Sequence, residues 1–363
     1  MSNFAAPPRI LLVTPAAVFM PEKDGNQTNF ILTNAGGFGD FPAELISALF
    51  HLGVDVHVAQ PDYRRIFAIS THNEQTSAGI KLPIDRIHFA EDRAFFYAKP
   101  LNSNYEWENL KISLVFQREV INQIIPRVQP DLIHCCDWMT GLIPAAAKNS
   151  EIPCLFTVQK LDSARSILAR VEDIGIDAAG FWQNLFYDKY PGSYEETRDT
   201  NPLDLLLSGI LAANQVNTTE PELLPGIVEG RGNLKYSSPG QVLAQKWQAG
   251  CACEIPGSRH LGLNPTINKK RSQRQPVSSS ENWTTAKRYI DLYETMLQRP
   301  LVALESNVHP INKNSHRKAS GARAIAYPEA RHTRSHPLSN KRNFTPAMVP
   351  DSKRARTAGA VTL

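Results

Sequence analysis

Three stretches decide the fold: Arg9-Ile-Leu-Leu-Val-Thr14, then Gly36-Gly-Phe-Gly-Asp40, then Val54-Asp-Val-His-Val-Ala59. The first is a short apolar run of the kind a strand buried on both faces requires. The last is β-branched and alternating, which is a strand's pattern. Between them Phe41, Leu45, Ile46, Leu49 and Phe50 recur at helical spacing. Asp40 is placed to cap the start of that helix and Gly53 to end it. Strand, glycine loop, helix and strand make one βαβ unit.

The alternation continues outward. Residues 80–98 suggest short hairpin strands, and Leu110 to Val128 a helix. Leu132–Cys135 and Cys154–Val158 have strand patterns, with a helix expected from Trp138 to Lys148 between them. Leu203 to Ala213 predicts a helix and Val216 to Thr219 a further strand. Such alternation predicts an α/β fold with a doubly wound parallel sheet. Ligands of such sheets bind beyond the carboxyl ends of the strands. The candidate site therefore lies at three loops: Asn34 to Asp40, Cys136 to Met139, and Gln159 to Asp162. After about residue 230 the periodicity fades, except at 285–297, where Ala286, Tyr289, Ile290, Tyr293, Met296 and Leu297 share one helix face.

Charge divides the chain in the same place. Residues 1–230 hold 17 Lys+Arg against 28 Asp+Glu, and residues 231–363 hold 22 against 7, so the net +4 averages an acidic body with a basic tail. Residues 308–363 are rich in Ser, Asn, Pro, Lys and Arg, a composition expected to be disordered. No run of eighteen apolar residues exists, so no membrane span is expected. The five cysteines have no framework spacing, which suits a reducing cytoplasm. Cys135 and Cys136 read as packing thiols and His57 as a structural histidine. Cys251, Cys253 and His260 fit no common zinc spacing, and no metal is expected.

At the candidate loops two readings stay open for each residue. Gly36, Gly37 and Gly39 could cradle a phosphate or a sugar through backbone N–H groups, or simply supply a tight turn. Asp137 and Trp138 could bind sugar hydroxyls and stack on a sugar face, or be a helix cap and a buried aromatic. Gln159 and Lys160 could hydrogen-bond a glucan, or mark relaxed constraint.

These residues also resemble a known family, the bacterial glycogen synthases and plant starch synthases that use ADP-glucose. The family's Lys-Thr/Val-Gly-Gly-Leu-Gly/Ala-Asp motif stands here as Asn34-Ala-Gly-Gly-Phe-Gly-Asp40. Its His-x-x-Asp-Trp-His motif stands as His134-Cys-Cys-Asp-Trp-Met139, and its Phe-Thr-x-His-Asn motif as Phe156-Thr-Val-Gln-Lys160. Further similarity lies at Glu172–Asp177, Tyr194–Arg198, Val216–Thr219, Leu243–Cys253 and Glu281–Val302.

The resemblance implies a GT-B glycosyltransferase with two Rossmann-like halves. Glucose passes from ADP-glucose to an α-1,4-glucan, with ADP-glucose as donor substrate and no other cofactor. It implies acceptor and sugar contacts at Asp137, Trp138, Gly36 and Gly37. It places a donor-phosphate loop at Asn34, Gly39 and Asp40, and Gln159 at a degenerate catalytic position.

On this reading residues 1–255 are the N-terminal catalytic domain and 256–284 a polar linker. Residues 285–299 are a remnant of the family's C-terminal helix, and 308–363 the basic tail. Only fifteen residues separate the matches near Pro265 and Glu281, too few for a nucleotide-sugar domain. Asn34, Met139 and Gln159 replace a Lys and two His of the motifs. Transfer is accordingly expected to be impaired. The alternatives are a non-catalytic glucan-binding or interaction protein and a nucleic-acid binder acting through its tail. The expected partners are an α-1,4-glucan and a second chain supplying a nucleotide-binding domain; no membrane and no nucleic acid are expected.

Overall fold

The computed structural model describes residues 6–16, 19–21, 27–30, 40–63, 81–96, 106–231, 237–256 and 279–301. The glycine loop 34–39, most of the linker and the basic tail 308–363 lie outside them. In chain order the elements are β1 (Arg9–Val13), β2 (Phe19–Pro21), β3 (Gln27–Phe30), α1 (Asp40–His51), β4 (Asp55–Pro61), β5 (Lys81–Pro83), β6 (Ile87–Ala90) and α2 (Arg93–Phe96). There follow α3 (Glu106–Glu119), β7 (Leu132–Cys136), α4 (Ile143–Asn149), β8 (Cys154–Val158), β9 (Arg165–Ser166), α5 (Leu168–Asp173), α6 (Tyr194–Thr200) and β10 (Leu203–Asp204). The last are α7 (Leu205–Ala212), β11 (Gln215–Thr218), α8 (Leu223–Val228), α9 (Ser238–Gln248), β12 (Ala252–Glu254) and α10 (Ser279–Leu297). Among the described residues no helix is long and apolar enough to cross a membrane.

Seven strands form a wholly parallel sheet in the order β12-β11-β8-β7-β1-β4-β6. The chain starts in the middle and winds outward both ways, as a doubly wound sheet does, with its switch point between β1 and β7. Gly53 ends α1 with φ +82, the left-handed conformation its missing side chain permits. The helix expected from Leu110 begins earlier, as α3, and continues through a π turn at Val120–Ile124 into Ile125–Val128. Pro126 has no N–H to give, so the ladder is short of one donor there.

Two expectations are corrected. Among the described residues 81–96 no hairpin forms: β5 pairs antiparallel with β3, and β6 joins the edge of the main sheet parallel to β4. A 3-10 turn at Ile84–Arg86 carries the chain from one sheet to the other. Nor is Trp138 to Lys148 one helix. A 3-10 turn, Trp138–Thr140, precedes α4, whose Pro144 suits a first helical turn.

Right-handed crossovers dictate which faces are covered. From β1 to β4 the chain moves toward one edge, and α1 packs on the first face through Ala43, Leu45, Ile46 and Leu49. From β7 through β8 and β11 to β12 it moves the other way, and α4, α7 and α9 all pack on the opposite face. Among the described residues no local crossover covers the first face beneath β7, β8 and β11. The distant helix α10 does so, burying Ala286, Tyr289 and Tyr293 completely.

That half-face is polar at its centre. His134, Thr157 and Asn217 project from three neighbouring strands. His134 Nδ1 lies 2.7 Å from the Tyr293 hydroxyl and its Nε2 lies 2.6 Å from Thr157 Oγ1. Thr157 hydrogen-bonds Asn217, whose Nδ2 donates to the Tyr289 hydroxyl at 2.9 Å. The His134 and Tyr289 rings stack at 5.4 Å. Burial pushes the imidazole down to about 3, so His134 is neutral and each ring nitrogen meets a hydroxyl.

At the amino edge of the sheet His57 Nδ1 and His88 Nε2 are 2.8 Å apart and the rings stack. Burial pushes both imidazoles down to about 4. Arg9 adds to the shift at His57, and His57, Arg127, Arg9 and Arg86 add to it at His88. His57 is thus a satisfied structural histidine, as its place in an alternating strand suggested.

Two predictions follow from these packed groups. Tyr293→Phe leaves His134 without one partner and should cost about 1–3 kcal/mol in urea unfolding, with Tyr289→Phe costing a similar amount through Asn217. The neutral His57–His88 pair binds fewer protons than the unfolded chain. Its stabilisation is full above about pH 6.5 and declines toward about pH 4. NMR titration of the folded protein should find both rings unprotonated at about pH 5.5.

Candidate functional site

β7 is buried from end to end, and the residue that follows it carries the chain across the carboxyl edge of the sheet. Asp137 does so at φ 60 and ψ 177, a conformation open almost only to glycine. In other residues it stores roughly 1–3 kcal/mol of strain. Three contacts hold it there. Its N–H donates to the Thr157 carbonyl at 2.9 Å. Its carbonyl accepts from the Thr140 backbone N–H at 3.0 Å and from the Thr140 hydroxyl at 2.9 Å. The next turn is locked against α7, because a Cβ on Gly141 would lie 1.9 Å from the Leu205 carbonyl oxygen.

The Asp137 side chain does not cap the turn that follows it. Instead Oδ1 accepts from the backbone N–H groups of Gln159, at 2.8 Å, and Lys160, at 3.4 Å. The loops after β7 and β8 are thereby tied together. Oδ2 is buried and has no partner among the described residues. Burial raises this carboxyl to about 7, against the pull of the two N–H groups and Lys160. Asp137 is therefore balanced between acid and carboxylate near neutrality, able to give or take a hydrogen bond at Oδ2.

Other buried polar atoms without partners among the described residues lie along the same edge: Gln159 Nε2, Thr218 Oγ1 and Glu254 Oε2. They stand at or just past the ends of β8, β11 and β12, and Thr218 and Glu254 are register partners. Buried polar atoms in folded proteins are nearly always paired, so a row of orphans along the ligand-binding edge signals a place for a polar ligand.

The expected site residues are thus partly assembled. Asp137 and Gln159 come together, joined by a hydrogen bond. Asn34, Gly36, Gly37 and Gly39 lie outside the described residues, and Asp40 is the first residue of α1. Trp138 lines a pocket together with Trp107. Thr218 and Glu254 were not foreseen, although the carboxyl-end rule applied to β11 and β12 would have reached both. Cys135 and Cys136 are buried, as packing thiols should be. Among the described residues no group of three His, Cys, Asp or Glu side chains could hold a metal ion.

The starch synthase catalytic domain family matches residues 28–235. The glycogen synthase of Desulfitobacterium hafniense is 24% identical over 285 residues, covering 69% of this chain and 56% of that protein. The glycogen synthase of Cellvibrio japonicus is 31% identical over 156 residues, covering 36% of this chain and 32% of that protein. The chain thus spans about half the length of the first of these relatives and less of the second. Among solved structures, the catalytic domain of Arabidopsis thaliana starch synthase IV bound to ADP and acarbose is similar. It is 14% identical with a TM-score of 0.45, covering 69% of this chain and 52% of that one.

The raised carboxyl has a stability signature. Folded Asp137 holds its proton up to about pH 7, whereas the unfolded carboxyl loses it near 4. Stability is therefore lost as pH rises through this window, by up to roughly 4 kcal/mol. Asp137→Asn keeps the shape and removes the titrating carboxyl. Its unfolding free energy should gain on the parent protein's between about pH 4 and pH 7, then run parallel above.

Proposed function

Because the chain belongs to the starch synthase catalytic domain family, we propose that it engages the non-reducing end of an α-1,4-glucan at the carboxyl edge of its sheet. Transfer of glucose from ADP-glucose is the family chemistry, and this chain performs it slowly or not at all. The observation that carries the reading is Asp137: a strained, buried carboxyl with one oxygen unpartnered, at the edge where such sheets take ligands.

A glucan offers hydroxyls that both donate and accept. Asp137 Oδ2 near its midpoint pairs with a hydroxyl in either sense. Gln159 Nε2 donates to a second hydroxyl from the neighbouring loop, and Thr218 and Glu254 extend the row. Binding then repays the buried orphans their missing hydrogen bonds.

Transfer makes a further demand. As the sugar leaves, negative charge grows on the diphosphate, and cations and N–H groups must stabilise it. Asn34 and Gln159 carry no charge. The N–H groups of the loop Gly36–Gly39 and Asp40 would have to act largely alone on the phosphates. That favours slow turnover, and equally the alternative of a glucan-binding protein without catalysis. A second chain bearing a nucleotide-sugar domain would complete the cleft on either reading.

The test couples binding to ADP release. Calorimetry with maltoheptaose should show saturable binding that Asp137→Ala weakens by about tenfold, or roughly 1.4 kcal/mol. ADP release from ADP-glucose and maltoheptaose should run at least about a hundredfold below that of the D. hafniense relative, as loss of a charge-stabilising group predicts. Matching rates would refute the impairment, and absence of maltoheptaose binding would refute the glucan reading.

A further inference from the structure

The amino edge of the sheet, opposite the Asp137 row, carries a cluster of charged and titratable groups. Arg9 opens β1, Asp55 and His57 lie at the start of β4, and His88 at the start of β6. Arg86 ends the 3-10 turn before β6, and Arg127 reaches His88 from the helix Ile125–Val128. Asp55 is ion-paired with Arg9, at 3.4 Å, and with Arg86. Asp131 accepts from the Arg9 backbone N–H at 2.7 Å and pairs with Arg299. Among the described residues no carboxylate pairs with Arg127; its NH2 stands 3.5 Å from His88 Nδ1.

The protons of this cluster can be placed one by one. Burial keeps both imidazoles neutral, helped by Arg9 at His57 and by His57, Arg127, Arg9 and Arg86 at His88, with Asp85 opposing at His57. Each ring therefore has one N–H and one acceptor nitrogen. Arg86 NH1 lies 3.0 Å from His57 Nε2 and can only donate, so Nε2 carries no proton. The His57 proton is then on Nδ1, which donates to His88 Nε2 at 2.8 Å. The His88 proton is in turn on Nδ1, facing Arg127 NH2, which is another obligate donor. The opposite tautomers would move the conflict to Arg86. There the 3.0 Å separation is a hydrogen-bond distance, whereas the 3.5 Å at Arg127 lies outside the usual range. A charged His88 would face Arg127 as cation against cation, which sharpens the conflict.

The relay thus ends with two N–H donors turned to one space. An oxygen that accepts from both completes it, and the unpaired charge of Arg127 favours an anionic one. Three guanidinium groups, Arg9, Arg86 and Arg127, surround the pair against the carboxylates of Asp55 and Asp85. His88 is half-buried and Arg127 exposed, so a solute can enter from solvent. A phosphate group shares its charge over several oxygens and suits a guanidinium fork beside an imidazole N–H. We propose that the space between His88 Nδ1 and Arg127 binds a phosphate group, either the free ion or one carried on a small phosphate ester. The site lies at the edge away from Asp137 and does not depend on the glucan reading.

Imidazole nitrogen–proton correlation NMR of the full chain near neutral pH tests it. Before any addition both rings should show the Nδ1–H tautomer. Inorganic phosphate should shift the His88 signals to saturation, and sodium chloride or sodium acetate of equal ionic strength should not. Arg127→Gln should weaken phosphate binding by about tenfold or more, with urea unfolding unchanged because the side chain is exposed. Methyl phosphate separates the two sources: affinity equal to that of inorganic phosphate supports an ester as occupant, and affinity about tenfold lower supports the free ion. An Nε2–H tautomer at His88, signals unmoved by phosphate, an equal response to acetate, or unaltered affinity in Arg127→Gln would each overturn the proposal.

Discussion

The handedness of parallel crossovers leaves half of one sheet face without a local cover, and everything else in the molecule depends on how that gap is closed. Strands β7, β8 and β11 receive helices on the opposite face alone. Their bare side presents His134, Thr157 and Asn217, groups that cannot be buried against hydrocarbon without cost. A leucine-lined helix would seal the face and orphan the polar row. Helix α10 brings two tyrosines spaced one turn apart, each with an aromatic body for the core and a hydroxyl for a strand residue. The closure is thus hydrophobic and polar at once. It also explains why a helix so distant in sequence belongs to the domain that precedes it.

The closure bears on the site through the strands themselves. Thr157, which shares hydrogen bonds with His134 and Asn217, also gives its carbonyl to Asp137 N–H. One residue therefore links the plugged face to the strained turn at the carboxyl edge. The strain at Asp137, its unpartnered oxygen and its raised ionisation all cost stability. They persist because the surrounding strands and the turn locked at Gly141 over-determine that position. Asp137 thus costs stability in three ways at the carboxyl edge, the side on which sheets of this kind take their ligands.

Much of this was legible in the sequence. The βαβ unit stood out in Ile10–Val13 and Val54–Ala59, and the docked helix in the stripe of Ala286, Tyr289 and Tyr293. The meaning of that stripe was not legible, because His134 lies 159 residues from Tyr293 and periodicity carries no information about what a face will meet. The mistaken hairpin has the same origin. Ile87-His-Phe-Ala alternates alike in a hairpin and at a sheet edge, and its partner is chosen by the topology. Asp137 and Gln159 could be named from their loops, but the positive φ at Asp137 could not be foreseen, since nothing in an aspartate asks for it.

Helix α10 is an integral part of the sheet's folding unit. Native-state amide hydrogen exchange on the intact chain measures this most directly. The amides of α10 between Ala286 and Glu294 should exchange with the same opening free energy as those of β7 and β8, because the helix cannot leave without exposing His134, Thr157 and Asn217. Rapid exchange across α10 while β7 and β8 stay protected would show the helix to be an ornament on an already complete domain, and would contradict the account.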